Sequence, residues 1–575
     1  MRIYMCNFYY TCIRSLTLMR WKILIFLGFA GCCLVACTSR TEVSFVYVDP
    51  LDKVLPEQVL FYPYDASVDV CRGEYATLQF VVRSPERIDD LKASIKGTFP
   101  ENTLTLHAEQ AQLSYVGYVH EGRTVPYPAS DLLYSTSRFY PDPLICSKSV
   151  DVEPNVNVIL WVSMPIPLNT IPGSYSFEIT VRGKGRFVRT LPFKINVYSP
   201  QVSEQTLLID NWFYPEFLSQ LVPKNSMSDS MRIAALEKMA TIMNTYRQNV
   251  IQLSPVLLGS YTFGEDGEVD QISLENFGKT LQIFAKQMDL KLVAGAHLAK
   301  RTQGWEESFQ VMVPFQGDNK KTYFKYLPIE DQRVKQFYNR FLDSLISFLT
   351  RNGWKEKYVQ HIADEPIDAN SVNYIELARY VRSKMPGIRI IEALQTERVA
   401  PDVDILVPQL DYLHKKQDYF RLQQEQGKEL WFYTSRLPQG EYANRHIRQP
   451  LLKTRLLHWI NYKYGLTGYL HWGYNYWLST LPELETSGIQ VSGHVLPGGD
   501  CWIVYPQGDS ILPSIRLEAM RDGIVDYELL TMAACKDSAL VHDIVGQVVY
   551  DFDRYDLNIV RFRQMRRKVL EILSQ

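Results

Sequence analysis

The chain has 575 residues, with 61 Lys and Arg against 63 Asp and Glu, so its formal net charge is −2. Such a length suggests about two to four domains. With 46% hydrophobic and 22% charged residues, the composition is globular, which excludes a disordered chain. A net charge near zero argues against duplex nucleic acid as a partner, because that ligand normally demands a basic surface. Aromatic residues make up 13%, which is typical of carbohydrate-facing surfaces and also of large β-rich cores.

The N-terminal segment predicts export. A basic start precedes the apolar run Ile23–Ala36, and Cys37 follows it. The run is shorter than the about 20 residues that a membrane-spanning helix needs. Residues 34–37 resemble the lipobox of bacterial lipoproteins, which implies cleavage before Cys37 and a lipid on its sulfur. We therefore interpret residues 1–37 as a signal peptide with its lipobox cysteine; the alternative is a signal anchor that is never cleaved.

This interpretation predicts the location of the protein and its membrane partner. The lipid anchor at Cys37 would hold the protein in the bacterial cell envelope, on the periplasmic or cell-surface side of the outer membrane. The mature chain would keep four further cysteines, which are far apart and form no C-x-x-C pair, so zinc-ribbon and thioredoxin classes are excluded. One or two disulfides and buried free thiols are both compatible with this spacing.

Residues 43–203 predict an antiparallel β-sandwich domain. Apolar and polar residues alternate over 175–182 and again over 191–197, with the turn Gly183–Gly185 between them, which is the pattern of a hairpin. Val156–Val162 and Thr77–Val82 are further strand candidates. Several short strands separated by turns favour a sandwich.

Residues 204–513 predict a (β/α)8 TIM-like barrel, so the fold class is multidomain. Eight strand-like runs alternate with helical stretches, as this fold requires, although the link after the fifth strand is short and weakly helical. Residues 514–575 predict a helical segment packed on the barrel. The predicted strands are Leu207–Trp212, Asn249–Leu253, Leu290–Ala296, Tyr358–Ala363, Ile388–Ala393, Ile405–Gln409, Leu430–Thr434 and Thr467–Trp472, and the helices include Ser230–Tyr246, Val334–Thr350, Val372–Ser383 and Arg448–Tyr464.

Polar and aromatic residues gather where these strands end. Active sites of such barrels lie at the C-terminal ends of the strands, and a sugar site needs aromatic faces for stacking and polar groups for hydroxyls. Aromatic residues there also serve simply to cap a barrel, and the sequence leaves both roles open for each of them. The candidate substrate-binding residues are Trp212, His297, His361, Gln409, Tyr433, His471, Trp472, Asn475 and Trp477.

The adjacent carboxylates Asp364 and Glu365, after the fourth strand, are the candidate catalytic residues. Two neighbouring carboxylates repel, so the pKa of one should rise and make it a general acid near neutral pH. Adjacent residues cannot readily flank a glycosidic bond from opposite faces, as the usual pair does. They suit a substrate-assisted mechanism, in which Glu365 protonates the leaving oxygen and Asp364 orients a 2-acetamido group. The alternative is a solvated Asp-Glu-Pro turn.

Three motifs carry a resemblance to a known family. His361–Pro366, Gly468–Asn475 and Pro513–Gly523 together resemble glycoside hydrolase family 123 and the wider group of uncharacterised proteins that share its catalytic domain. The resemblance spans about residues 200–535, with a sandwich domain before it. It implies an exo-acting β-N-acetylgalactosaminidase that retains configuration, and the Asp-Glu pair of the family falls on Asp364 and Glu365.

The helix after the third of these motifs is rich in charge. Arg521 can reach back to Glu518 three residues earlier, and Arg516 and Asp522 lie on the same predicted helix. We interpret these residues as an ion-pair network that holds the final helix to the barrel, with substrate contact as the alternative. No cofactor or metal is predicted, since the sequence holds neither a P-loop nor an H-E-x-x-H motif, although the Asp-rich segment 402–411 is a weak candidate for a metal site.

Three functions remain open. The first is a glycoside hydrolase that removes terminal β-linked N-acetylgalactosamine, or a related N-acetylhexosamine, from glycans. The others are a catalytically silent glycan-binding lipoprotein and a hydrolase of another sugar on the same scaffold. An intact Asp364-Glu365 pair favours the first over the second, and an acetamido pocket walled by Trp472 or Trp477 would separate the first from the third.

Overall fold

The computed structural model describes residues 42–97, 106–121, 133–185, 187–221, 227–478, 489–491 and 494–575. The predicted signal peptide and Cys37 lie outside the described residues, so the leader and the lipid anchor stay predictions. Within the described ranges, none of the helices combines the length and the apolar character that a membrane crossing requires.

The first domain is a sandwich of two five-stranded sheets, as predicted. One sheet has the order β1-β3-β8-β5-β6 and the other β2-β10-β9-β4-β7 in the numbering that follows. The predicted hairpin forms between the last two strands, with Phe177 opposite Phe193, and the pairing of the second and tenth strands is parallel. The strands are β1 Ser44–Val48, β2 Ser67–Arg72, β3 Tyr75–Arg83, β4 Ile88–Gly97, β5 Gln112–His120, β6 Phe139–Ile145, β7 Val150–Val152, β8 Val158–Pro165, β9 Gly173–Arg182 and β10 Val188–Gln201.

The sheet that contains β3 and β8 is covered on both faces. Phe80 and Leu160 point into the sandwich core, whereas Val81, Ile159 and Trp161 belong to the large core shared with the second domain. Both strands are therefore apolar almost throughout rather than alternating, because each of their faces is buried.

The second domain is a barrel of eight parallel strands with helices outside, as predicted. In space its strands follow the order β11-β23-β22-β21-β20-β19-β15-β12, and small antiparallel hairpins and one three-stranded sheet extend from it. The strands of this domain are β11 Leu208–Asn211, β12 Val250–Leu253, β13 Ser260–Phe263, β14 Val269–Ser273, β15 Leu292–Gly295, β16 Ala299–Lys300, β17 Gln310–Gln316, β18 Thr322–Pro328, β19 Tyr358–Gln360, β20 Arg389–Leu394, β21 Ile405–Pro408, β22 Glu429–Tyr433, β23 Gly468–His471, β24 Ile489–Val491, β25 His494–Leu496, β26 Tyr505–Gln507, β27 Ser510–Leu512, β28 Val549–Asp551 and β29 Arg554–Tyr555.

Side chains bridge the first and last strands in this spatial order. Asn249, just before β12, accepts the backbone N–H of Ile209 at 2.9 Å and donates to the carbonyl of Leu207 at 3.0 Å. Gln248 donates to the carbonyl of Asn211 at 2.9 Å. These buried amides satisfy backbone groups of β11 that would otherwise lack partners.

The four helices named from the sequence are all present close to their predicted positions. Between β20 and β21 the chain forms only the 3-10 turn Ala400–Asp402, so the weakly helical link forms no α-helix. The helices are α1 Asp229–Thr245, α2 Glu275–Gln287, α3 Gln332–Arg351, α4 Ser371–Lys384, α5 Leu410–Lys415, α6 Gln417–Glu425, α7 Leu451–Lys463, α8 Ile515–Gly546 and α9 Ile559–Ser574; shorter 3-10 turns cover Ala108–Gln110, Pro215–Leu221 and Lys355–Lys357.

The charged residues of α8 form the predicted ion-pair network, but much of it joins the helix to the sandwich. Arg516 donates to both carboxylate oxygens of Asp142, on β6, at 2.9 and 2.8 Å, and both side chains are fully buried. Arg521 donates to Glu518 at 2.6 Å, and Glu518 accepts a hydrogen bond from Ser163, on β8, at 3.1 Å. The substrate-contact alternative is not supported, because these residues lie in the domain interface.

The cysteines within the described residues are free thiols. Cys71 and Cys501 are buried, whereas Cys146 and Cys535 are exposed. Of the two possibilities that the spacing leaves open, the structure therefore has the free thiols.

Candidate active site

A cavity of about 500 Å³ opens at the C-terminal ends of the barrel strands. One wall is aromatic: the rings of Tyr214, Trp472 and Tyr476 contact one another edge-on, with centroids 5.1–6.5 Å apart. The other lining residues are Trp212, Trp305, Asp364, Glu365, Ala393, Gln395, Gln409, Tyr433, Ser435, Arg436, Leu437, Leu470, Leu496 and Asp500. Aromatic faces with a few polar groups are the surface that a sugar ring requires.

Asp364 and Glu365 lie in the loop that follows β19, and both line this cavity. The backbone of Glu365 has φ of 45°, a left-handed conformation that a non-glycine residue adopts at a cost of about 1–3 kcal/mol. Arg301 stabilises this turn by donating to the carbonyl of Glu365 at 3.1 Å. The guanidinium of Arg301 in turn lies 3.9 Å from the ring centre of Trp305 at the cavity wall.

The environment of Glu365 raises its pKa toward neutrality. Burial first, and then the neighbouring charge of Asp364, raise the pKa of Glu365 to about 7. The predicted repulsion therefore operates, but burial has the larger effect. Tyr433 and Gln395, the latter at 3.1 Å, both donate to Oε1. This arrangement leaves Oε2 to hold the proton.

A fully buried carboxylate, Glu392 on β20, lies behind the pair. Its Oε1 is 3.1 Å from Nε2 of His297 and 3.0 Å from Nδ1 of His361. Because a carboxylate only accepts, both ring nitrogens donate. Burial alone would raise the pKa of Glu392, but the two histidines hold it at about 2.

The second oxygen of Glu392 holds the backbone that leads to the candidate pair Asp364 and Glu365. It accepts the N–H of Ile362 at 2.8 Å and that of Ala363 at 3.0 Å, and the hydroxyl of Tyr374 at 3.2 Å. Hydrogen bonds to an ionised acceptor are about twice as strong as neutral ones. Glu392 thus ties the loop after β19 to the neighbouring strand and to α4.

Two groups of residues have metal-ligating atoms close together. One is His297, His361 and Glu392, and the other is His414 with Asp551 and Asp553 near β28. In the first group the carboxylate of Glu392 already accepts five hydrogen bonds. In the second, Asp551 is paired with Arg554 at 3.0 Å. The Asp-rich segment 402–411 supplies neither group, so the weak metal candidate in the sequence finds no support in the described residues.

The predicted substrate-binding residues divide into two sets. Trp212, Gln409, Tyr433 and Trp472 line the cavity, together with the predicted catalytic pair. The other five do not line it: His297, His361, His471, Asn475 and Trp477.

Three of these five have contacts that stabilise the surrounding structure. Trp477 is fully buried and donates to the carbonyl of Val504 at 2.7 Å, so it forms no wall of the cavity. Asn475 bonds to both the N–H and the carbonyl of Tyr214, at 2.8 and 3.0 Å, and so positions an aromatic residue that does line it. His471 is buried and accepts the N–H of Gly473 at 3.0 Å.

Several cavity residues are not among the sequence-based candidates. Gln395 follows β20 directly, at a strand end that carries none of the predicted site residues. Asp500 is fully buried, lines the cavity and accepts the indole N–H of Trp472 at 3.2 Å; burial raises its pKa to about 7. It lies 29 residues after the end of β23 at His471, so no strand end marks it. Glu392 leaves a signal in the sequence, since it is a charged residue inside an otherwise apolar strand.

A (β/α)8 barrel with a half-buried acid and an adjacent carboxylate in an aromatic cavity defines a carbohydrate-cleaving hydrolase. Residues 230–533 match the family described as "Glycoside hydrolase 123, catalytic domain", and residues 63–183 match "Glycoside hydrolase 123 N-terminal domain". The first match alone covers more than half of the chain. The protein therefore belongs to glycoside hydrolase family 123. A search of curated proteins gives no match.

A solved structure with a TM-score above 0.5 supports the same overall fold. A family 123 glycoside hydrolase from Clostridium perfringens, studied for glycolipid glycan hydrolysis, is similar at 15% sequence identity and a TM-score of 0.72, covering 93% of this chain and 98% of that one. A family 39 glycoside hydrolase from Bacteroides cellulosilyticus WH2 is similar at 10% identity and a TM-score of 0.33, covering 80% and 82%. A Bacteroides ovatus family 5 xyloglucanase is similar at 8% identity and a TM-score of 0.28, covering 84% and 100%.

Proposed function

We propose that this glycoside hydrolase removes terminal β-linked N-acetylgalactosamine, or a related N-acetylhexosamine, from glycans by a retaining, substrate-assisted mechanism. The observation that carries the proposal is the pairing of Glu365, whose pKa is about 7, with an adjacent carboxylate that is 45% exposed at the cavity. The first group is suited to proton transfer, and the second is placed to contact the same sugar.

In the first step Glu365 donates its proton to the glycosidic oxygen as the bond to the anomeric carbon breaks. Asp364 accepts a hydrogen bond from the N–H of the 2-acetamido group, so that the acetamido carbonyl oxygen attacks the anomeric carbon and forms a cyclic oxazolinium ion. In the second step the ionised Glu365 takes a proton from water, and the hydroxide adds to the same face. The oxazolinium ring opens to regenerate the acetamido group, and the sugar leaves with retained configuration.

The cavity geometry supports the roles proposed for Glu365 and Trp472. Tyr433 and Gln395 both bond to Oε1 of Glu365, which leaves Oε2 free to exchange its proton with the substrate and then with water. Trp472 offers an aromatic surface for the sugar ring or the acetamido methyl group, a role that Trp477 cannot fill from its buried position.

The test compares three p-nitrophenyl glycosides with protein that lacks residues 1–37: the β-N-acetylgalactosaminide, its glucosamine epimer and the plain β-galactoside. We expect hydrolysis of an acetamido substrate, inhibition by a thiazoline analogue of the cyclic intermediate, and no hydrolysis of the plain galactoside. Hydrolysis of the galactoside at a comparable rate would refute substrate assistance. Binding of N-acetylgalactosamine without any turnover would indicate the silent glycan-binding protein instead.

Asp500 supports a second candidate, a hydrolase of another sugar. It is a third carboxylate in the cavity, so a conventional mechanism with Glu365 as acid and Asp500 as nucleophile would need no acetamido group. The variant Asp500→Ala separates the two mechanisms. If Asp500 is the nucleophile, the variant loses turnover and azide restores it as a glycosyl azide of inverted configuration; under the substrate-assisted mechanism, azide restores nothing.

We also propose that the protein is a lipoprotein of the bacterial cell envelope, with glycans outside the cytoplasm as its substrates. The lipobox-like residues 34–37 support this proposal. Metabolic labelling with an alkyne-tagged fatty acid should modify the full chain and not its Cys37→Ala variant. Equal labelling of both would refute the anchor.

A further inference from the structure

We propose that Glu392 and His297 are positioning residues for the catalytic pair: Glu392 fixes the backbone just before Asp364, and His297, as an imidazolium held by Glu392, places a positive charge beside the Asp364 carboxylate. The inference rests on the function proposed above. It also gives His297 a different role from the sugar contact predicted from the sequence.

The first part of the argument concerns the backbone. Ile362 and Ala363, whose N–H groups both donate to Glu392, immediately precede Asp364. Neither belongs to the ladder of β19, which ends at Gln360. On one side the carbonyl of Ile362 accepts the N–H groups of Leu298 and Ala299, at 3.0 and 3.1 Å, and Ala363 forms an isolated parallel bridge with Ala299. On the other side the carboxylate of Glu392 holds the two N–H groups, so a small displacement of Glu392 moves the catalytic pair. A displacement of about 1 Å at such a site costs about 100-fold in rate.

The second part concerns charge. Nε2 of His297 lies 3.1 Å from Glu392 and 4.0 Å from Oδ1 of Asp364. Burial lowers the pKa of His297, but the charge and hydrogen bond of Glu392 outweigh this effect and raise it above its usual value of 6.5. For His361 burial has the larger effect and lowers the pKa. Of the two histidines, the one whose pKa is raised is therefore the one whose Nε2 lies 4.0 Å from Asp364.

The other charged groups around His297 are consistent with a cation there. Glu392 approaches from β20 and Asp364 from the loop after β19, and Asp210 lies on β11. Arg301, after β16, is the competing positive charge. The edge-on ring of Trp212, with its centroid 5.0 Å from that of His297, fixes the orientation of the imidazole. A fixed cation beside Asp364 favours the anion that must accept the acetamido N–H.

The test uses the full chain with His297→Gln, Glu392→Gln and the double variant. The control is His458→Gln, which alters a fully buried histidine on α7 that bonds to Asn461 at 3.1 Å, away from the cavity. We expect each test variant to lower kcat on the N-acetylgalactosaminide by about 10–100-fold while KM changes by less than about threefold. The double variant should lose little more than the worse single one, because the two residues act as a unit.

A second readout needs no substrate. The imidazole ¹⁵N shifts of His297 should show a titration midpoint above 6.5 in the unaltered protein and a lower one in Glu392→Gln. A midpoint below 6.5 in the unaltered protein would overturn the charge role, and loss of activity on chelation would make the cluster a metal site. An increase in KM with unchanged kcat in His297→Gln would indicate that His297 contacts the sugar, as predicted from the sequence, and does not position Asp364. If no acetamido substrate is cleaved but the ¹⁵N shifts behave as expected, the proposed function is wrong, whereas the proposal that Glu392 keeps His297 protonated is supported.

Discussion

Replacing Glu365 by Gln tests the general acid most directly. The amide has the same shape, and its carbonyl oxygen can still accept hydrogen bonds from Tyr433 and Gln395. It carries no exchangeable acidic proton on the side that faces the cavity. We expect the fold to persist and kcat/KM on an alkyl N-acetylgalactosaminide to fall by about 10²–10⁴-fold, which corresponds to about 3–5 kcal/mol of transition-state stabilisation.

The pH dependence of kcat/KM and of the free energy of unfolding provides a second, independent test of Glu365 as the general acid. With a pKa of about 7 the acid form of Glu365 is half populated at neutrality, so kcat/KM should fall tenfold per pH unit above that value. Because the pKa in the folded protein is raised from 4.5, this group stabilises the fold fully below pH 4.5, and the contribution is lost as the pH rises through 7. Glu365→Gln should therefore be more stable than the unaltered protein at pH 8, by about 3 kcal/mol, and equally stable at pH 4.

Two assays check these magnitudes. Steady-state rates on an alkyl and a p-nitrophenyl glycoside separate proton donation from other effects, because the nitrophenolate leaves without a proton and the loss should be smaller there. Urea unfolding at pH 4 and pH 8 measures the stability difference. An alkaline limb near pH 7 that persists in Glu365→Gln, or a loss below tenfold on the alkyl glycoside, would refute the assignment of the acid.

Three further predictions concern the second carboxylate, the aromatic wall and the domain interface. Asp364→Asn should lower kcat on acetamido substrates by about 100-fold or more, and full activity would exclude its role. Trp472→Ala should raise KM on the order of tenfold, the equivalent of about 1.4 kcal/mol, because a stacking face is lost; an unchanged KM would show that the sugar binds elsewhere. Asp142→Asn should lower the free energy of unfolding in urea by about 3–5 kcal/mol, since it leaves the buried Arg516 with a neutral partner. The exposed Asp509→Asn, which only loses a surface contact with Lys238, is its control and should change nothing measurable.

The barrel could be predicted from the sequence because its strands are short apolar runs separated by amphipathic helices. Leu430–Thr434, for example, is observed as Glu429–Tyr433. The position of Asp364 and Glu365 at the cavity could also be predicted, since they follow a buried strand and barrel sites lie at such ends. The periodicity of apolar residues predicts the helix or strand to which a residue belongs, but it does not predict which residues from distant elements meet in the fold. This is why it favoured Trp477, which points into the core, and could not find Asp500, which reaches the cavity from a connecting segment.

Glu392 illustrates a different limit. A carboxylate within Ile390–Leu394 is visible in the sequence as a charged residue among apolar ones. Its partners, however, are two histidines that follow other strands and a tyrosine on α4. Only the folded sheet, in which β15, β19 and β20 are neighbours, brings these four side chains together, so their shared role depends on tertiary structure.

The buried contacts between α8 and the sandwich determine whether the two domains of this protein can be separated. Cutting the chain between the two matched regions would leave Arg516 and Glu518 on an apolar surface without Asp142 and Ser163. It would also expose one apolar face of β3 and β8 to solvent. Neither half could serve as a ready-made module in a new gene fusion, because each completes the interior of the other. The sandwich and the barrel are therefore one packing unit, whatever glycan the cavity accepts.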